Sequence, residues 1–336
     1  MTRTRTLLLT IFFIVLLAVF FTKKSYENKL REKILATVHE NCKSCKLEIS
    51  SLKIHLFARD LSLRQIKFTA GRRITTAVEA QIEKISLSLT SSPFDLKNME
   101  IDKVEIESPQ ITVIEGDEKT GSHPLRTNEE LKWNIEKIFI YNGKFKYLRE
   151  SPDRTGVIHM NDIQVTVENL NSATGPQAKL AQVKAKSLLE NSGQVEMNIN
   201  TAPFEDQTNV DLDIRLSQYN LKESNDFFKP IDQAELSGEI VSGFATSKVR
   251  GPKLISTVEV KYKNLDVQFF TDKDRTDVAN FFMNVMADAK FDKKSTDESK
   301  PERTRTAHIV RKAEETLISF ILRGLKDASL EVATTN

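Results

Sequence analysis

Apolar and polar residues alternate at a spacing of two through most of this chain. The stretch Ile138-Phe139-Ile140-Tyr141-Asn142-Gly143-Lys144-Phe145-Lys146-Tyr147 carries the pattern at full strength. Two is the period of a β-strand, whose successive side chains point to opposite faces. Asn-Gly between two such runs predicts a hairpin, because a type I′ turn needs positive φ at both central residues. On that reading Ile140 faces Phe145 and Ile138 faces Tyr147 across the ladder, with Phe139, Tyr141, Lys144 and Lys146 on the other side. The expectation is a long antiparallel sheet with one apolar surface, and the functional question becomes what covers that surface.

Composition narrows the answer. Of the 336 residues, 29% are charged, yet the net charge is only +2. A nucleic-acid binder would concentrate an excess of Lys and Arg, so no nucleic-acid partner is expected. A hydrophobic content of 39% suits strands that keep one face in water.

Residues 6–22 carry no charge and are close to the short limit for a helix that crosses a bilayer. Leu7, Ile11, Phe12, Leu16 and Phe20 are the expected membrane-anchoring residues. Val19, Phe20 and Phe21 form a poor cleavage site, so residues 1–24 read as an uncleaved signal anchor. Basic residues flank both ends, and Lys29, Arg31 and Lys33 add to the downstream side, which by charge alone weakly places the large domain in the cytoplasm. In residues 25–40, Tyr26, Leu30, Ile34, Leu35 and Val38 share a helical face, predicting a juxtamembrane helix.

Cys42 and Cys45 follow. A C-x-x-C pair can be a local disulfide, a redox couple, half of a metal site, or two unpaired thiols. The redox reading wants a βαβ context, whereas the next residues alternate as a strand. Only His39 and His55 could complete a zinc site, and His55 falls among strand residues.

From residue 47 the strand pattern runs almost unbroken. Leu47/Ile49, Leu52/Ile54, Leu61/Leu63 and Ile66/Phe68 alternate with polar residues, and the phase slips between groups, which calls for bulges or turns. Ile82/Ile85/Leu87/Leu89, Met99/Ile101, Val104/Ile106 and Ile111/Val113 continue it, Pro109 marking a bulge or edge. Further runs fall at 158–167, 180–189, 195–199, 210–216, 236–240 and 258–269, with a short, helix-like interruption at 225–230. Together these assign residues 41–272 to one β domain.

The period then changes. Val278, Phe281, Phe282, Val285, Met286 and Ala289 predict an amphipathic helix at 273–290. Residues 291–304 read as a mobile charged linker. Ile309, Ala313, Leu317, Phe320, Ile321, Leu325 and Ala328 predict a second amphipathic helix at 305–330. Both helices are expected to cap the sheet's core, with a membrane-surface role as the alternative.

The run from Ser92-Pro93 through Val104-Glu105-Ile106-Glu107-Ser108-Pro109-Gln110-Ile111, with the 135–147 segment, resembles the AsmA/TamB superfamily, especially its short AsmA-like members. The segment 210–270, with Tyr219-Asn220-Leu221 and Tyr262-Lys263-Asn264-Leu265, is similar to the later half of that domain. The likeness covers nearly the whole chain and rests on β patterns rather than a catalytic fingerprint. It implies a curved, taco-like β groove with an apolar interior, anchored in the inner membrane and exposed to the periplasm, which reverses the orientation read from charge. Cys42 and Cys45 also fit an oxidising compartment. The chain is short beside the large bridge-forming members, so one copy is not expected to make a complete conduit.

The expected function is therefore to bind or hand over phospholipid acyl chains and so contribute to envelope lipid homeostasis. Candidate lipid-facing residues are Ile106, Ile138, Ile140, Phe145, Tyr147, Val165, Val167, Met197, Leu212, Ile214, Val260, Val267 and Phe269. The alternative is a non-catalytic structural or assembly protein of the envelope, its apolar face closed by its own helices or by an envelope protein partner. No enzyme is expected: the sequence holds no G-x-S-x-G, H-E-x-x-H or dinucleotide fingerprint, and Gly116 to His123 lacks the Lys-Ser/Thr of a phosphate loop. No cofactor or metal is expected.

Overall fold

The structure is a computed structural model that describes residues 24–40, 42–55, 59–72, 76–90, 98–116, 132–151, 153–171, 180–202, 209–270, 303–312 and 317–334. The expected anchor, with Leu7, Ile11, Phe12, Leu16 and Phe20, lies outside these residues, as does the helix expected at 273–290. Among the described residues no helix is long and apolar enough to cross a membrane.

One sheet contains every described strand. In chain order these are β1 (Lys46–His55), β2 (Asp60–Arg72), β3 (Thr76–Leu89), β4 (Asn98–Glu107), β5 (Gln110–Glu115), β6 (Lys132–Ser151), β7 (Arg154–Asn171), β8 (Ala181–Leu189), β9 (Gly193–Thr201), β10 (Asn209–Asn220), β11 (Ala234–Arg250), β12 (Lys253–Phe269) and β13 (Arg303–Val310). The strands lie side by side in chain order, except that β4 and β5 share one lane between β3 and β6. Helix α1 covers residues 24–40. A 3-10 turn at Leu221–Ser224 leads into α2 (Asn225–Asp232), and α3 is Leu317–Thr334.

The Asn142-Gly143 hairpin does not form. β6 runs straight through that dipeptide, so Ile138, Ile140, Phe145 and Tyr147 pair instead with Val167, Val165, Met160 and Ile158 of β7. Asn142 takes a left-handed conformation (φ 53) without reversing the chain. Gly143 is not in that region; a side chain there would meet Ile163, whose Cβ lies 3.0 Å from the position of an added Cβ. The other face is as expected: Tyr141 and Lys144 are exposed, and Phe139 stacks on Tyr141 with centroids 6.0 Å apart. The sheet is also not wholly antiparallel, because β4 and β5 run parallel to β6. A parallel step needs a long connection, and residues 116–131 supply one.

Two further boundaries move. Arg303–Val310 is a strand, not the start of a helix, and Ile309 pairs with Leu254 of β12. The terminal helix begins at Leu317. Cys42 and Cys45 form a disulfide, with Cα atoms 5.2 Å apart, just beyond α1.

The phase slips have one cause. Gln65, Ser108, Asn142, Asp162, Gln218 and Asn264 have φ between 49 and 56, and the register sets them in a rough line across the middle of the sheet. Gln65 falls between the pairs Ile66–Ile82 and Arg64–Lys84. Ser108 and Pro109 lie opposite Asn142 and Gly143. Each such residue resets the alternation by one place, as a bulge does, and keeps the apolar residues of both strand halves on one face. Leu216 and Tyr219, three apart in β10, thus both lie over Gly193.

The apolar face as candidate functional site

Register turns scattered alternation into continuous rows. Leu52, Leu63, Ile85, Ile106, Ile140, Val165, Ala185, Met197, Ile214, Ala245 and Val258 are successive partners from β1 to β12. A second row, one step of two along each strand, runs Ile54, Leu61, Leu87, Val104, Ile138, Val167, Val183, Ile199 and Leu212, ending in Ser247 and Ser256. Of the expected lipid-facing residues, eight fall in these rows. Phe145 and Tyr147 lie beyond the line of bulges, paired with Ile111 and Val113 of β5. Val260 pairs with Gly243, Val267 with Leu236 and Phe269 with Ala234.

The ends of the face are closed. On β1 and β2, Leu30 of α1 is buried with Leu52 and Ile54, with Tyr26, Ile34, Leu61 and Leu63 packed around them. Glu27 of α1 accepts the backbone N–H of Ile54 at 2.9 Å, which occupies a donor of the edge strand. At the other end Phe320 of α3 is wholly buried with Val210, Leu212, Val249 and Leu254, against Met197, Ile199, Ile214 and Ile309. Val258 and Ala307 pack on Ala328, with Val260 and Leu325 alongside. Ser247 and Ser256, both fully buried, satisfy each other at 2.7 Å beneath this helix. Met197, Leu212, Ile214 and Val260 are therefore covered by the chain itself.

A notch is closed differently. β8 and β9 stop near the line of bulges, so the far halves of β7 and β11 have no strand between them. Helix α2 fills the gap and packs on β6, β7 and β11. It approaches so closely that a Cβ on Gly156 would come 2.5 Å from Ile231 and 3.0 Å from Phe227, which leaves glycine as the fitting residue. Glu190, in the β8–β9 turn, holds the β7 edge: its N–H donates to the His159 carbonyl at 2.9 Å, and its Oε1 accepts the His159 N–H at 2.8 Å. Phe227 sits 5.8 Å from the ring of Tyr147, whose hydroxyl donates to the Glu115 carboxylate. Burial first, and then that carboxylate, push the Tyr147 phenol well above its ordinary value.

Among the described residues the centre has no such helical cover, although Val104 of the second row is itself buried. Ile85, Leu87, Ile106, Ile138, Ile140, Phe145, Val165 and Val167 are half-buried. Among the described residues α2 packs chiefly on β7 and β11 and α3 on β12 and β13, and the cluster under α1 stops at β2. Ile85 and Leu87 were legible as strand residues, but only the long-range register places them in the rows. No group of three or more His, Cys, Asp or Glu able to hold a metal occurs among the described residues. No protein-family model matches the chain, and no curated protein matches it.

Proposed function

We propose that the central part of the apolar face, between the covers supplied by α1 and α3, holds the acyl chains of phospholipid. The observation that carries this reading is the half-burial of Ile106, Ile138, Ile140, Val165 and Val167 within rows that cross the sheet from β1 to β12. Apolar surface left in water costs about 25 cal/mol per Å², so a strip several strands wide favours an apolar occupant. Bulged strands bend, and a line of bulges that recurs in β2, β6, β7, β10 and β12 suits a sheet folded lengthwise into a groove. The resemblance to AsmA-like proteins supports the same reading, with residues 1–24 as the inner-membrane anchor and the sheet in the periplasm. In this setting the protein contributes to envelope lipid homeostasis by holding or handing over lipid, without chemistry of its own.

A second reading has an observation in its favour. Because α3 already covers Met197, Leu212, Ile214 and Val260, the protein could be a structural component whose face is closed by its own helices or by a protein partner.

One experiment separates them. Ile140→Glu and Phe145→Glu put a carboxylate on the open centre, while Lys144→Glu changes charge on the opposite face. Folded fraction and photo-crosslinking to lipid are measured for each, together with phospholipid co-purified in native mass spectrometry. The lipid reading expects the first two to fold and lose lipid, with Lys144→Glu unaffected. Folded variants that keep full crosslinking would give the structural reading the advantage.

A further inference from the structure

The disulfide between Cys42 and Cys45 spans only the turn that leads from α1 into β1, because its two residues are three apart in the chain. Closing so short a loop removes little freedom from the unfolded chain, so the bond is at its weakest as a general staple. Its effect is local, on the reversal that contains it. The Cys42 N–H donates to the Val38 carbonyl at 2.9 Å, continuing the last turn of α1, and the Cys45 N–H donates to the Cys42 carbonyl at 3.0 Å. Lys46, the next residue, opens β1.

Helix and strand form a hairpin pinned at both ends. At the open end the Ile54 N–H donates to Glu27 at 2.9 Å, across 27 residues of chain. The helix from Glu27 to Glu40 rises about 20 Å, and the strand from Lys46 to Ile54 about 26 Å. The two elements must therefore be brought back together within residues 41–45, and the disulfide fixes that turn. Cys42 and Cys45 are half-buried, while Lys43 and Ser44 between them are exposed, so a thiol can reach the bond. Exposed disulfides are the exchangeable ones. A strand follows the pair, rather than the βαβ setting of an oxidoreductase centre, which suits a substrate of exchange.

We propose that Cys42–Cys45 is a thiol–disulfide exchange site whose oxidised form keeps α1 seated over the first end of the apolar face. The co-reactant is a dithiol. Its thiolate attacks one sulfur of the pair, and the other leaves as a thiolate and takes up a proton. The second thiol of the reductant then displaces the mixed disulfide, so the reductant loses two electrons and Cys42 and Cys45 end as thiols. Without the ring, the seating of α1 falls to the Glu27 contact and to the packing of Tyr26, Leu30 and Ile34 on Leu52, Ile54, Leu61 and Leu63. Lifting α1 uncovers the β1 and β2 members of both rows and lengthens the open strip to β1. The exchange itself needs no lipid; what the longer strip receives rests on the acyl-chain reading above.

The test uses the full chain in mild detergent without denaturant, with dithiothreitol as the dithiol. Free thiols are counted by alkylation and mass spectrometry, and hydrogen exchange is read on the same samples. Both cysteines are expected to become free while β10–β12 keep their exchange pattern, and amides of residues 24–40 should exchange about tenfold faster than in the oxidised protein. Cys42→Ser with Cys45→Ser should show the fast pattern without dithiothreitol and no further response to it. A bond that opens only after unfolding in urea overturns the exchange site. Unchanged exchange at residues 24–40 after reduction overturns the hold on α1, and an equal rise in β10–β12 makes the bond a general staple and overturns it too. Phospholipid retained in native mass spectra is scored in both redox states. Lipid retained with α1 unmoved rejects the switch alone, and α1 released with lipid in neither state rejects the acyl-chain reading alone.

Discussion

The side chain of Asn225 makes both hydrogen bonds that a neighbouring strand would make to Leu236. Its Oδ1 accepts the Leu236 N–H at 2.8 Å and its Nδ2 donates to the Leu236 carbonyl at 3.0 Å. A carboxamide has the same donor and acceptor as a peptide group, so one residue of α2 substitutes for strand backbone at the β11 edge. Leu236 is fully buried, and neither of its backbone groups can turn to water instead.

Asn225→Leu should therefore leave a buried donor and acceptor unpaired and cost about 2–4 kcal/mol. Asn225→Asp keeps the acceptor but sets a second oxygen against the carbonyl, and should also destabilise. Urea unfolding measures both. A midpoint equal to the parent for either variant would show that the edge does not depend on this amide.

Gly324 lets α3 lie down on β12. An added Cβ would fall 2.4 Å from Leu254 Cδ2 and 2.7 Å from Ser256 Oγ, so even Gly324→Ala should lift the helix, at about 1–3 kcal/mol. Faster hydrogen exchange in residues 317–334, with β1–β4 unchanged, is the expected signature. Uniform exchange would contradict it.

The course of β6 can be checked by position rather than stability. Cysteines at Ile140 and Val165 are direct register partners and should cross-link with a short bifunctional reagent, whereas cysteines at Ile140 and Phe145, separated along one extended strand, should not. The reverse result restores the hairpin. Replacing Asn142 with Val should cost about 1–3 kcal/mol, since a β-branched residue resists φ near 53.

Tyr219 links stability to alkaline pH. Burial, opposed in part by a hydrogen bond with Ser224, pushes its phenol up to about 12 from an ordinary value near 10. Between these values the unfolded chain releases the proton and the folded one holds it, so stability is complete below pH 10 and falls as pH rises toward 12. Tyr219→Phe should show a shallower decline over that window, measured by thermal unfolding. Identical slopes would mean that Tyr219 ionises freely in the fold.

Much of this architecture is written locally. Leu47/Ile49 and Leu52/Ile54 announce both their strand and its slip, and the helix-like segment at 225–230 is α2. Asn142-Gly143 misleads because asparagine takes the same left-handed conformation in a bulge as in a turn. What decides between them is pairing with β4, β5 and β7, which no local window contains. Ile309 misleads for a related reason: its spacing to Ala313 and Leu317 suits a helix, but Leu254 claims it for a strand. Among the candidate residues, the sequence indicated which ones share an apolar face but not which of them α3 covers. Gly156, Glu190 and Asn225 carry no local signal, since each acts on an element distant in the chain.

The line of left-handed residues has a mechanical meaning as well. Ladder pairing is interrupted there in strand after strand, so the sheet is least stiff along that crease. Flexing about it would change the angle between the two strand halves without breaking the rows on either side. If the face holds acyl chains as proposed, a small rotation shared among many strands, each giving little, would admit an occupant of greater girth while the packed ends under α1 and α3 stay shut.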